Sequence, residues 1–136
     1  MRKDNSESNI VVYLGTYPPR ECGIATFTQD LTNAMDKRFN PATKSRIVAL
    51  NESPTSIYNY GQKIAKQVSA ESIDQYVSLG QEINKRDDVK LVNIQHEFGI
   101  FGGRWGDYLL PLLQVIQKPV VTTFHSVLAE PDDHLR

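Results

Sequence analysis

Apolar residues along this chain fall into short unbroken runs separated by helical stripes, and that alternation predicts the elements. "NIVVYLG", Asn9 to Gly15, is β-branched and aromatic and ends in glycine. Its length and composition predict a strand buried on both faces. Ile24, Phe27, Leu31 and Ala34 then recur at helical spacing, with Gln29, Asp30 and Asn33 opposite. "SRIVALN", Ser45 to Asn51, reads as a second strand. Ile57 to Ser69 fits both an alternating and a helical pattern; its aromatics and Gly61 favour an edge strand. Ile73, Tyr76, Val77 and Ile83 predict a helix with Ser72 as N-cap. "VKLVNIQ", Val89 to Gln95, is a strand that runs into the glycine-rich loop "HEFGIFGGRWG". Tyr108, Leu109, Leu112, Leu113 and Ile116 form another stripe, with Pro111 tolerable only in that helix's first turn. "KPVVTTFHS", Lys118 to Ser126, is the last strand.

The order β-α-β-β-α-β-α-β predicts an α/β fold with a doubly wound, mostly parallel Rossmann-like sheet. In such sheets ligands bind beyond the carboxyl ends of the strands, near the point where strand order reverses. The unusual residues fall there: Pro18 to Gly23 after the first strand, His96 to Gly103 after the fourth, and His125 closing the fifth.

Length and composition narrow this picture. With 136 residues there is room for one domain of ordinary size. A formal net charge of -1 without a basic block gives nucleic-acid binding no electrostatic support. No apolar run approaches the roughly 20 residues that span a bilayer. The opening "MRKDNSESN" lacks the apolar core of a signal peptide, so a cytoplasmic chain is expected. Residues 1–8 are expected to be a disordered tail and residues 9–136 the folded domain. The single cysteine excludes an internal disulfide and a cysteine-only zinc site.

Three stretches carry candidate chemistry. Pro18 and Pro19 stiffen the first loop and remove two N–H donors. Gly23 lets backbone approach a ligand without a Cβ in the way. A helix starting near Ile24 or Ala25 then points unpaired N–H groups at the crevice, which suits a phosphate or a sugar hydroxyl. An ordinary tight turn explains the same residues. Neither a G-x-G-x-x-G fingerprint nor a phosphate-loop motif is present. Cys22, beside that helix start, reads as a small residue filling the turn or as a thiolate nucleophile paired with His96 or His125. In "QHEFGIFGG", His96 and Glu97 follow a buried strand, and Gly99, Gly102 and Gly103 predict a loop passing close to a ligand or a moving partner. Each also has a plain reading, as a strand-end histidine and a solvated or capping carboxylate. His125 ends "VVTTFH" and faces the same crevice. Two histidines and a carboxylate on different strands have no local ligand spacing, so no metal site is assigned.

"YPPRECGIATFTQDL", "VNIQHEFGIFGG" and "KPVVTTFHSVL" together resemble the N-terminal half of retaining GT-B glycosyltransferases of the large family 4 type. The blocks occur in that family's order, and the resemblance runs from Asn9 onward. It implies a Rossmann-like acceptor-side domain that faces a donor-binding domain across a cleft. It implies transfer of a sugar from a nucleotide-sugar donor to a glycan-type acceptor with retention, and no cofactor or metal. By the same resemblance the loop at Gly23 and Ile24 abuts donor phosphate and acceptor. His125 lies by the reacting sugar in a positioning role. His96, Glu97, Gly99, Gly102 and Gly103 line the acceptor side. Phe98 stands where a tyrosine is more usual. The donor domain and the last strands of the acceptor domain are not in these residues, so the expectation is a partial domain that is inactive alone. The rival readings are a non-catalytic sugar- or nucleotide-binding module and a Cys/His hydrolase.

Overall fold

A computed structural model describes residues 9–130 and 133; the expected disordered tail lies outside the described residues. Strands β1 (Asn9–Gly15), β2 (Thr43–Asn51), β3 (Ile64–Ser69), β4 (Val89–His96) and β5 (Val120–Phe124) form one sheet. Its order is β3-β2-β1-β4-β5, and every neighbouring pair is parallel. Helix α1 (Gly23–Phe39) covers one face, while α2 (Ile73–Asn84) and the short α3 (Leu110–Val115) cover the other. The chain leaves β1 towards β2 and β3, then returns through α2 to β4 on the opposite side of β1. The carboxyl ends of β1 and β4 therefore flank the reversal point, where the connections diverge.

The two faces differ in chemistry. On the α2 and α3 side, Val12, Leu14, Val92 and Ile94 pack with Tyr76, Leu79, Ile83 and Leu112 in a continuous apolar layer. On the α1 side the buried helix face is Ala25, Thr28 and Thr32, with Leu31 and Met35 only partly buried. The expected stripe is thus displaced: Ala34 is exposed and Phe27 is 44% exposed. Small residues let the helix lie close to the sheet. A Cβ on Gly15 would sit 3.1 Å from Gln95 Cβ and 3.5 Å from Thr28 Oγ1. The threonine hydroxyls are satisfied within the helix, Thr28 donating to Ile24 O and Thr32 to Thr28 O, each at 2.8 Å. Burial without an unpaired hydroxyl avoids the desolvation cost of the polar group.

The segment Ile57–Ser69 is strand only from Ile64, and β3 is an edge strand as expected. Its tyrosines produced the alternating pattern but do other work. Tyr58 donates to Glu52 Oε1 at 2.6 Å and Tyr60 to Asn51 Oδ1 at 2.8 Å, folding the connection over the end of β2. Ser72 caps α2 by accepting from Gln75 N at 3.3 Å, and Pro111 lies in the first turn of α3. Among the described residues no helix is long and apolar enough to cross a membrane.

Candidate functional site

Loop Thr16–Cys22 leaves β1 with Thr16 and Tyr17 buried, and it is held from both ends. Arg20 donates through Nη1 to Leu50 O at 2.9 Å, and its Nε lies 3.1 Å from Glu52 Oε1. That pair ties the loop to the carboxyl end of β2, with Tyr58 on the same carboxylate. At the other end Cys22 is the N-cap of α1. Its Sγ accepts from Ala25 N at 3.4 Å and lies 3.0 Å from Thr16 Oγ1. Among the described residues no histidine hydrogen-bonds Cys22, so the thiol is occupied in capping the start of a helix and has no histidine base beside it.

Gly23 is exposed, and a Cβ built on it would meet nothing within 4 Å. Nothing in the chain itself requires a glycine there. Ile24 behind it is half-buried against the core. Gly23 starts a 17-residue helix whose first N–H groups have no partner within the helix, Cys22 Sγ taking that of Ala25.

His125 is placed by three elements. Its backbone N–H extends the β4–β5 ladder, donating to His96 O at 2.9 Å. Its ring meets the Phe27 ring edge-on, with centroids 4.7 Å apart, which joins the end of β5 to α1. Its Nε2 lies 2.8 Å from Gln95 Oε1. The Gln95 amide in turn donates to Asn93 Oδ1 and, at 3.4 Å, to Thr123 Oγ1.

His96 is enclosed by three phenylalanine rings. It stacks on Phe101 with centroids 5.6 Å apart and meets Phe98 and Phe124 edge-on at 5.2 and 5.4 Å. Its Nδ1 is buried without a hydrogen-bond partner among the described residues. Burial pulls this imidazole below its ordinary value; the charge of Glu97 opposes the fall and neighbouring His125 adds to it. Glu97 turns back on its own loop, where Oε2 accepts from Gly99 N at 2.7 Å.

The loop glycines answer to the chain itself. A Cβ on Gly102 would sit 2.0 Å from Ala70 O, and one on Gly103, at φ +82°, would sit 2.1 Å from Asp107 Oδ1. These positions seat the loop against the end of β3 and the 3-10 turn Arg104–Leu109. The close approach inferred from three glycines is therefore to the protein's own backbone at Gly102 and to its own turn at Gly103.

The structure thus brings Phe27 of α1 to His125, with His96 beside it at the end of β4, while Gly23 starts α1 after the β1 loop. Sequence reasoning passed over Gln95, Arg20 and Glu52. Gln95 had a readable signal: Asn93 and Gln95 are polar at period 2 inside an apolar strand, hence on one face. No group of three potential metal ligands occurs among the described residues. A separate hollow of about 500 Å³ lies beside β5, lined mainly by Trp105, Leu109, Leu110, Leu113 and Phe124, with His96 at one wall. No family model, curated protein or solved structure matches the chain.

Proposed function

We propose that this chain is the acceptor-side part of a retaining glycosyltransferase, working with a donor-binding domain that closes over the carboxyl edge of the sheet. The observation that carries the reading is the packing of His125, at the end of β5, on Phe27 of α1, the helix that starts at the open Gly23 beyond β1 in a parallel sheet. Such a site suits a neutral, hydroxyl-rich ligand next to a phosphate. In glycosyl transfer, positive charge develops on the sugar ring and negative charge on the departing phosphate. Helix-start N–H groups stabilise that phosphate without a metal. His125 orients a sugar hydroxyl through a ring nitrogen. The three block resemblances to family 4-type enzymes support the same assignment. The hydrolase reading loses ground because Cys22 is a helix cap without a histidine partner.

Calorimetric titration of the chain with a panel of nucleotide sugars and oligosaccharides tests the proposal. Binding of at least one carbohydrate ligand, abolished by Gly23→Val, is expected. No heat with any of them, in a chain shown to be folded, contradicts it. Sugar transfer by the 136-residue chain alone would contradict the need for a donor domain.

A further inference from the structure

Gln95 is fully buried, yet it is polar and sits on the α1 face of β4, level with Gly15 and Thr28. Nε2 donates to Asn93 Oδ1 and Thr123 Oγ1, which turns Oε1 to His125. An amide oxygen only accepts, so at 2.8 Å the proton of that hydrogen bond belongs to His125 Nε2. A neutral imidazole carries one N–H. Nδ1 of His125 is then left with a free lone pair, and it has no hydrogen-bond partner among the described residues.

We infer that Gln95 is a positioning residue that locks neutral His125 as its Nε2–H tautomer and presents Nδ1 as a hydrogen-bond acceptor for a ligand hydroxyl. The acceptor role rests on the carbohydrate reading above; the tautomer lock does not. The arrangement has the form of a catalytic histidine and its orienting partner, with an uncharged amide where a carboxylate more often stands. An amide fixes the tautomer without drawing a second proton onto the ring. That suits recognition of a neutral hydroxyl and not proton transfer.

The test is long-range ¹H–¹⁵N correlation of the His125 ring in the full chain, about two pH units above the unperturbed imidazole value of ~6.5. One pure tautomer, with Nε2 protonated, is expected in the wild type. Gln95→Leu should give averaged ring shifts as the two tautomers mix. A wild-type ring that is Nδ1-protonated or averaged overturns the lock even if no variant folds. An unchanged tautomer in a folded Gln95→Leu chain overturns it too. The functional half is read separately: Gln95→Leu should weaken binding of the carbohydrate found by calorimetry about tenfold, the worth of one hydrogen bond. An intact lock with undiminished carbohydrate affinity refutes the acceptor role and leaves the tautomer result standing.

Discussion

At the scale of single residues, the informative positions are those whose chemistry the chain does not itself need. Gly23 is one. A Cβ there meets nothing, and its backbone lies outside the left-handed region that favours glycine. Gly23→Val should therefore leave the helix content unchanged by circular dichroism while abolishing ligand binding; undiminished binding would reduce the loop to a turn. Gly102 is the opposite case. Its virtual Cβ lies 2.0 Å from a backbone oxygen, so Gly102→Ala should destabilise the fold by about 3 kcal/mol or more in urea denaturation. On the proposed transferase reading, His125→Ala in the chain joined to a donor-binding domain should lower turnover by about 10²-fold, the usual scale for one lost transition-state contact. Wild-type kinetics in that variant would remove His125 from the site.

At the scale of elements, most of the fold was legible and the reasons are specific. β1, β2 and β4 are unbroken apolar runs because both faces are covered, and Ser72 and Pro111 mark helix starts that local chemistry dictates. What failed was decided by tertiary context. The α1 stripe is displaced because close packing on the sheet selects Ala25, Thr28 and Thr32, whose threonines read as polar until their hydroxyls turn inward. The tyrosines before β3 mimicked a strand because they bond polar groups at the end of β2. Cys22 illustrates a cap hidden in an unusual residue. Cys22→Ala should cost about 0.5–1 kcal/mol, and Cys22→Ser should restore it, read by urea denaturation. Asp36 ties α1 to the strands. Burial alone would raise its carboxyl, but hydrogen bonds from Lys63 and Ser45 outweigh it and hold the pKa below the ordinary value. A folded-state pKa below the unfolded one means stability that is present above the unfolded value, about 3.9, and lost as pH falls through the folded one. His96 acts in the same direction at higher pH, since its lowered pKa disfavours the charged ring once the pH drops below about 6.5. Chemical denaturation as a function of pH should show both losses, with the upper one missing in His96→Phe and the lower one reduced in Asp36→Asn.

At the scale of the whole molecule, the two edges of the sheet are unlike. β3 carries Lys66, paired with Glu82 at 2.7 Å, and its register with β2 shifts between Ile47 and Val48. β5 holds an unbroken register with β4, bears no charge from Val120 to Phe124, and leaves Val121 49% and Phe124 62% exposed. An uncharged, regular edge with exposed apolar side chains is a template for association. The 136-residue chain should self-associate in light scattering, and Val121→Lys should return it to a monomer; a monomeric wild type would contradict this. The central claim concerns the carboxyl ends of the strands, where Phe27 of α1 meets His125. Amide shift mapping of the Val121→Lys chain, titrated with the carbohydrate ligand identified by calorimetry, tests it most directly. The account predicts the largest perturbations at Gly23, Ile24, Phe27 and His125. Perturbations confined to the hollow beside β5, with those four amides unmoved, would contradict it.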